Sequence, residues 1–157
     1  MSASQSEPTF KTLGLSNWLQ TACSTLSLRH PTPIQTFAIP HLLTGRDLIA
    51  SSPTGSGKTA AFLLPTLHRL ALDPFGIFCL VLAPTRELAM QIHVECQKFG
   101  SSSRLHSAVV FGGASRSNQI RELARGVHIL IATPGRLIDF LEAGVVNLKR
   151  VTYLVLD

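Results

Sequence analysis

Eight consecutive residues combine the chemical groups that bind phosphate. Gly55 and Gly57 lack a Cβ, so the backbone can curl until its N–H groups converge on phosphate oxygens. Lys58 adds a full positive charge for the β- and γ-phosphates, and Thr59 adds a hydroxyl that Mg²⁺ can bind. The sequence therefore predicts a loop that binds a nucleoside triphosphate with Mg²⁺; a flexible Gly/Ser loop that happens to contain Lys-Thr is the alternative. In order, the eight residues are Ser52, Pro53, Thr54, Gly55, Ser56, Gly57, Lys58 and Thr59.

The residues on either side of this loop predict the strand–loop–helix setting that the motif requires. Residues 47–50 are short and apolar enough for a buried strand, and residues 59–72 have apolar side chains at helical spacing. A helix that begins at about Lys58 would point its positive end at the phosphates. One residue departs from the usual pattern, because Ser52 stands where the first glycine is expected.

The composition indicates a globular protein. The chain has 157 residues, enough for one compact domain, and 45% of them are hydrophobic against 15% charged. The net charge of +5, from 14 basic and 9 acidic residues, is compatible with a polyanionic partner. Ordinary variation in isoelectric point explains the same surplus more simply.

The cysteines and the apolar runs limit the compartment. Cys23, Cys79 and Cys96 are far apart, odd in number and without metal-ligand spacing, which favours a reducing compartment, and Cys79 should be a buried thiol. The N-terminus lacks an apolar signal core. The longest apolar run, residues 77–83, is far shorter than the roughly 20 residues that span a bilayer. We expect a soluble, intracellular protein without a membrane partner.

Beyond the loop, predicted strands alternate with predicted helices, which indicates the α/β class. Most strands are apolar throughout, which is typical of a mostly parallel sheet with helices on both faces. In such sheets ligands bind beyond the carboxyl ends of the strands. The predicted strands are residues 47–50, 78–83, 107–111, 128–132 and 151–156, and the predicted helices are residues 16–26, 34–45, 59–72, 85–100, 115–125 and 134–142.

The loops that follow these strands carry groups suited to a phosphate chain. Thr85 with Arg86, and Thr133 with Arg136, each place a hydroxyl and a guanidinium at a helix N-terminus. Simple helix capping beside a surface arginine is the alternative for either site. None of these groups reads a base edge, so the predicted binding is independent of nucleotide sequence. The candidate residues are Thr85, Arg86, Gly112, Gly113, Thr133, Gly135 and Arg136.

Three further residues are candidates for the nucleotide site. Asp157 ends an apolar strand, as a carboxylate that holds Mg²⁺ does, although a solvated chain end is the alternative. The amide of Gln35 matches the hydrogen-bonding edge of adenine, and Phe10 could stack on the base. A loop residue and a core residue, respectively, are the simpler interpretations of these two.

Taken together, these stretches resemble the first RecA-like domain of the DEAD-box ATP-dependent RNA helicases. The resemblance implies a RecA-like P-loop NTPase fold that uses ATP and Mg²⁺ and binds the RNA backbone without regard to sequence. It implies that Phe10 and Gln35 hold adenine and that Thr32 ties their segment to the P-loop. The matching stretches, in the family's order, are Phe10, residues 31–35, 54–59, 84–89, 112–113, 133–136 and 155–157.

The same resemblance divides the chain and assigns catalytic roles. It implies a disordered leader over residues 1–9, an adenine-recognition region over residues 10–45 and an ATP-binding domain over residues 46–157. Lys58, Thr59 and Asp157 would be the catalytic residues, with Thr59 and Asp157 also binding Mg²⁺. Ser27-Leu28 replaces a Gly-aromatic pair that is common in the family.

The family's pattern continues beyond Asp157 with Glu-Ala-Asp and a second RecA-like domain. That second domain supplies arginine fingers, which are worth about 10³–10⁵ in rate in related NTPases. We therefore expect this chain by itself to hydrolyse ATP barely and to unwind nothing, as a non-catalytic ATP- and RNA-binding module would. A small P-loop kinase is a further alternative, against which the Gln35 segment and the turn at residues 133–136 both argue.

Two short segments resemble one subgroup of the family. Residues 13–16 and 73–78 are similar to helicases that serve early ribosomal RNA processing for the small subunit. That similarity implies a location in the nucleus and nucleolus, with pre-ribosomal particle proteins as partners.

Overall fold

A computed structural model gives the structure of the protein and describes residues 7–157. Of the predicted leader, residues 1–6 lie outside the described residues, and Thr9 already forms hydrogen bonds with Thr12. The chain divides into two compact units, Met1–His68 and Arg69–Asp157.

The first unit is helical. It contains α1 (Asn17–Thr25), α2 (Pro33–Leu43) and α3 (Lys58–Leu70), whose last two residues belong to the second unit. Local sequence signals set these boundaries: α1 follows Ser16 and α2 follows Thr32, as N-cap residues. Predicted and observed helices agree to within a few residues.

The predicted strand over residues 47–50 is wrong. These residues form no regular secondary structure, and Ile49 is fully exposed at 101% of its reference area. A strand needs a neighbour that satisfies its N–H and C=O groups. Among the strands that the structure describes, none pairs with residues 47–50, so the apolar run remains unpaired.

The second unit is an α/β sheet unit. Its four strands are parallel, in the order β2-β3-β1-β4, and each lies inside the range predicted from its apolar run. Helix α4 packs against β2 and β3, and α5 packs against β2. The elements are β1 (Cys79–Leu82), α4 (Arg86–Gly100), β2 (Ser107–Val110), α5 (Arg116–Ala124), β3 (Ile129–Ala132), α6 (Pro134–Glu142) and β4 (Tyr153–Leu156).

The four strands end level with one another. Ala132 pairs with both Val110 and Leu82, and Leu82 pairs in turn with Leu156. Because the strands are parallel, the loops that follow them start from the same edge of the sheet. Their positions after parallel strands predict this shared edge for residues 83–86, 111–113, 133–136 and 157, and the register confirms it. The same prediction for the phosphate loop is not confirmed, because residues 47–50 form no strand.

The centre of the sheet is buried on both faces. Cys79, Leu80 and Val81 are all buried, and so is every residue of β3. Successive strand residues point to opposite faces, so both faces must be covered. The predicted burial of Cys79 is confirmed. One cluster contains Leu80, Val110, Leu130, Ala132, Leu137, Phe140 and Val146.

Of the helices within residues 7–157, none is both long enough and apolar enough to cross a bilayer.

Candidate functional site

The predicted phosphate loop curls before α3. Gly55 and Gly57 have φ angles of +79° and +90°, in the left-handed region that favours glycine. Ser56 N donates to Pro53 O at 3.3 Å, and Gly57 O accepts from Ala61 N at 3.1 Å in the first turn of α3. Both glycines thus have φ angles that residues with a Cβ rarely adopt. Convergence of the loop's N–H groups on a phosphate stays a prediction.

The side chain of Lys58 folds back over this loop. Its Nζ donates to Ser52 O at 2.5 Å and to Pro53 O at 2.9 Å. Two carbonyl oxygens thus hold the ammonium group beside the curl, next to the half-buried Thr59. A phosphate placed in the curl would meet a cation that is already in position.

Gln35 connects the start of α2 to the phosphate loop. Its Oε1 accepts from Thr32 N at 3.0 Å, and its Nε2 donates to Gly57 O at 3.1 Å. The side chain is buried. The tie to the P-loop that was predicted for Thr32 is therefore made by Gln35, while Thr32 Oγ1 lies 3.2 Å from the position that a Cβ on Gly57 would take.

Two buried hydroxyls at this junction have no hydrogen-bond partner among the described residues, Thr32 Oγ1 and Ser56 Oγ. Burying a hydroxyl without a partner costs free energy, and such groups often mark a place where water or a ligand binds. Their location beside the curl fits a bound phosphate or nucleotide.

Phe10 is only 5% exposed. Its ring has little free surface, which fits the interpretation as a core residue. Stacking of Phe10 on adenine stays a prediction.

In the second unit, the two threonine caps differ. Thr85 caps α4, because its hydroxyl accepts from Leu88 N at 3.3 Å. Thr133 occupies the N-cap position of α6, but its side chain makes no capping hydrogen bond. The Thr133 hydroxyl is therefore not used by its own helix.

Arg86 and the three glycines predicted to bind the RNA backbone, Gly112, Gly113 and Gly135, are exposed. Arg86 pairs with Glu87 at 3.4 Å, and its guanidinium lies 6.0 Å from the centre of the Phe111 ring. A Cβ on Gly112, Gly113 or Gly135 would meet no atom within 4 Å. Only Gly113 has a positive φ, +81°, so backbone conformation requires glycine at that position alone.

Arg136 differs from both interpretations made from the sequence. Its side chain is only 13% exposed, so it is not a surface arginine. Its guanidinium donates to Ala114 O at 3.4 Å and to Gln119 Oε1 at 3.2 Å, and it lies 5.5 Å from the centre of the Phe140 ring. These contacts already occupy the guanidinium inside the second unit, so they argue against the predicted direct contact of Arg136 with an RNA phosphate.

Gln119 was not predicted from its sequence context. This residue is buried in α5, where Oε1 accepts from Phe111 N at 3.2 Å and Nε2 donates to Phe111 O at 3.0 Å. The surrounding helix is polar and gives the pattern of a solvated surface. The only signal was position, because α5 directly follows the Gly112-Gly113 turn.

Asp157 is exposed at the end of β4, where its N–H donates to Leu82 O at 3.1 Å. Over residues 7–157, no group of three or more His, Cys, Asp or Glu side chains could hold a metal ion. A shared Mg²⁺ between Thr59 and Asp157 stays a prediction.

Comparison with known proteins gives consistent matches. Residues 32–157 match the family model described as DEAD/DEAH box helicase. The chain is 53% identical over 154 residues to the ATP-dependent RNA helicase DBP2 of Candida albicans, and this match covers 95% of this chain and 27% of that protein. It is 48% identical over 149 residues to the probable ATP-dependent RNA helicase DDX49 of Homo sapiens, and this match covers 94% of this chain and 31% of that protein.

A solved structure confirms the predicted RecA-like α/β fold. The RNA helicase Prp28 from Chaetomium thermophilum, crystallised with ADP, superposes with a TM-score of 0.88 at 39% sequence identity. The match covers 95% of this chain and 38% of that chain. The chain thus spans between about a quarter and a third of the length of the curated relatives named above.

Proposed function

The chain belongs to the DEAD/DEAH box helicase family, and from that premise we propose that it is the ATP-binding, RNA-contacting part of an ATP-dependent RNA helicase. One observation carries the proposal: Gln35 is hydrogen-bonded to Gly57 O in the loop that Lys58 closes. A segment suited to reading adenine is thereby joined to a loop suited to binding phosphate.

The first unit would bind ATP with Mg²⁺. The curl of residues 52–57 offers backbone N–H groups, and Lys58 lies beside it with a full charge. The unpartnered hydroxyls of Thr32 and Ser56 fit a polar ligand at this place. Mg²⁺ when bound would neutralise charge on the β- and γ-phosphates. Thr59 would hold it.

The second unit would bind the RNA backbone. The exposed glycines Gly112 and Gly113 and the cation of Arg86 follow strands that end at one edge of the sheet. Phosphate contacts carry no sequence information, so binding should depend strongly on salt and little on base identity.

RNA-stimulated ATP hydrolysis and local unwinding of duplexes are proposed for a protein of the relatives' length. The relatives named as RNA helicases are three to four times as long as the part that this chain matches. The 157 residues by themselves are proposed to bind ATP and RNA with little turnover. Rapid single-turnover hydrolysis by the purified chain would contradict that part of the proposal.

A nucleotide titration of the 157-residue chain tests the ATP site. Fluorescent ATP with Mg²⁺ is titrated against the natural chain, Lys58→Ala and the matched control Lys11→Ala, which removes an exposed lysine of the same unit. Lys58→Ala should weaken binding by about 10- to 150-fold, the value of a charge-assisted hydrogen bond to phosphate. Lys11→Ala should bind like the natural chain. Equal affinity of Lys58→Ala and the natural chain would refute the proposed site.

We further propose that the parent protein acts in ribosomal RNA processing in the nucleolus, together with pre-ribosomal particle proteins. The support is the resemblance of residues 13–16 and 73–78 to that subgroup. Depletion of the protein should then cause precursors of small-subunit ribosomal RNA to accumulate, and a fluorescent fusion should concentrate in nucleoli. Normal precursor levels after depletion would argue against this role.

A further inference from the structure

The carboxyl end of β2 lies at an open edge of the sheet. Strand β2 is an outer strand, and its last residue, Val110, faces β3 because Val110 O accepts from Thr133 N at 3.0 Å. Backbone groups of successive strand residues point to alternate sides, so those of Phe111 point away from β3. There the amide of Gln119 bonds both of them, to Phe111 N at 3.2 Å and to Phe111 O at 3.0 Å. The side chain thus takes the place of a missing neighbouring strand.

Arg136 continues this set of contacts on the other side of the Gly112-Gly113 turn, and the side chains of Gln119 and Arg136 are together called the bracket. Its guanidinium donates to Gln119 Oε1 at 3.2 Å and to Ala114 O at 3.4 Å. Gln119 and Arg136 together therefore hold Phe111 and Ala114, the two residues that flank Gly112-Gly113. The turn itself touches little, because Cβ atoms on either glycine would meet open space.

The bracket is itself held in place. Asp139 Oδ2 lies 3.6 Å from Arg136 Nε, and the Phe140 ring lies under the guanidinium at 5.5 Å. Gln119 is 7% exposed. A buried polar network of this kind is stabilising only when its members are satisfied, and then it fixes one conformation. The conformation that it fixes here is that of residues 111–114.

We propose that Gln119 and Arg136 are positioning residues that hold the Gly112-Gly113 turn in the shape that receives an RNA phosphate, and that Arg136 acts through this turn without contacting phosphate. The inference rests on the proposed RNA-binding function. The ligand is the phosphodiester backbone of single-stranded RNA, bound by the N–H groups of the turn. A preformed turn binds more tightly because no ordering cost remains at binding.

The first experiment compares Gln119→Leu with the natural chain and with Asn118→Ala, an exposed neighbour in the same helix. Affinity for a fluorescein-labelled oligouridylate is measured by anisotropy, and affinity for fluorescent ATP is measured in parallel. Gln119→Leu should lose about tenfold in RNA affinity, the equivalent of one net hydrogen bond, and keep its ATP affinity. Asn118→Ala should match the natural chain in both measurements.

Amide hydrogen exchange separates positioning from a general loss of structure. In Gln119→Leu, amides 111–115 should exchange faster, while amides in β1 and β3 keep the protection of the natural chain. Unchanged exchange at residues 111–115 would overturn the inference, whatever the RNA affinity.

If Gln119→Leu does not fold, Gln119→Glu replaces it, because it keeps the acceptor for Phe111 N and Arg136 and loses only the donor to Phe111 O. Its exchange at 111–115 should be faster than in the natural chain, and equality would overturn the inference.

A salt titration tests whether Arg136 contacts phosphate. Each cationic contact to a single strand contributes about −0.7 to the slope of log affinity against log salt concentration. Arg86→Gln should reduce the magnitude of the slope by about 0.7, whereas Arg136→Gln should weaken binding with the slope unchanged. A reduced slope in Arg136→Gln would show direct contact and overturn the role given to Arg136.

The outcomes distinguish the inference from the function on which it rests. If the natural chain binds no oligouridylate, the proposed RNA-binding function falls and the inference falls with it. If the natural chain binds and Gln119→Leu binds equally well, only the inference is overturned.

Discussion

The amide of Gln35 donates to the carbonyl of Gly57 at 3.1 Å, so a buried side chain at the start of α2 fixes the last residue before α3. A Cβ on Gly57 would collide with Gln35 Nε2 and lie 3.2 Å from Thr32 Oγ1. A Cβ on Gly55 would meet nothing within 4 Å. The two glycines have similar positive φ angles but different surroundings.

This difference predicts unequal effects of alanine in the same loop. Gly55→Ala should cost about 1–2 kcal/mol of unfolding free energy, because a residue with a Cβ is forced into the left-handed region. Gly57→Ala should cost about 1 kcal/mol more, because relief of the collision breaks the Gln35 bond. Urea unfolding of both variants measures the difference. Equal losses would show that the Gln35–Gly57 contact contributes nothing.

The two threonine caps predict a separation of stability from binding. Thr85→Ala should lower the unfolding free energy by about 1 kcal/mol, because it removes an N-cap acceptor. Thr133→Ala should change stability by less than about 0.5 kcal/mol, because its hydroxyl caps nothing. Thermal unfolding decides the first point, and oligouridylate binding by Thr133→Ala shows whether that hydroxyl serves RNA. Loss of stability in Thr133→Ala equal to that in Thr85→Ala would contradict the assignment.

His128 gives the protein a predicted sensitivity to acid. Burial is the main cause that lowers the pKa of His128 below its usual 6.5, and the charge of His106 lowers it further, although a backbone hydrogen bond with Pro74 partly opposes both. His128 Nδ1 accepts from His106 N at 2.9 Å and must stay unprotonated to do so. Because the folded-state pKa is the lower one, the unfolded chain binds the proton more readily, and stability is lost as the pH falls below about 6.5.

Urea unfolding at pH 7.5 and pH 5.5 measures this effect. His128→Asn keeps an acceptor without a titrating ring, so its unfolding free energy should fall less between the two pH values than that of the natural chain. Asn118→Ala, an exposed substitution that removes no titrating group, is the control and should keep the natural pH dependence. His93, whose pKa is also lowered mainly by burial, should account for part of the remaining dependence. Identical pH dependence in His128→Asn and the natural chain would refute the role of His128.

The cysteines should be inert in the folded chain. Cys23, Cys79 and Cys96 are buried and form no disulfide, and burial raises the pKa of Cys23 and of Cys96 to about 11. A rise from 9.0 to about 11 lowers the thiolate fraction about 100-fold, and only the thiolate reacts. Iodoacetamide at pH 8 should therefore label the native chain at least about 100-fold more slowly than the urea-unfolded chain, as measured by intact mass. Rapid labelling of the native chain would show that the fold opens readily.

Local patterns were sufficient for most elements of the fold. Helix α6 begins at Pro134 and ends at Glu142, as predicted, because a first-turn proline and helical spacing are both visible in sequence. The strands were recognisable from continuous apolar runs. Residues 47–50 have the same kind of pattern, but pairing depends on a neighbour elsewhere in the chain, and the sequence of the segment does not contain that information.

In the candidate site, only the features that depend on residue type could be predicted from the sequence. The curl of Gly55 and Gly57 follows from residue type alone, and so does the charge of Lys58. The bracket around the glycine turn was not predictable, because Gln119 and Arg136 meet only after β2, α5 and α6 have folded together. Both interpretations of Arg136, a phosphate contact and a surface arginine beside a helix cap, placed it at the surface, because arginine is usually exposed and a buried partner for it has no local signature.

Strand β4 forms one border of the sheet, and its Leu154 and Leu156 remain 60% and 74% exposed. In the part of the chain that the structure describes, no strand pairs with the outer side of β4, and such a border with exposed leucines is a template on which strands of other molecules can assemble. At temperatures well below the melting temperature, light scattering should therefore rise with protein concentration. Solubility, more than folding, will set the concentration at which titrations and crystallisation of these 157 residues succeed.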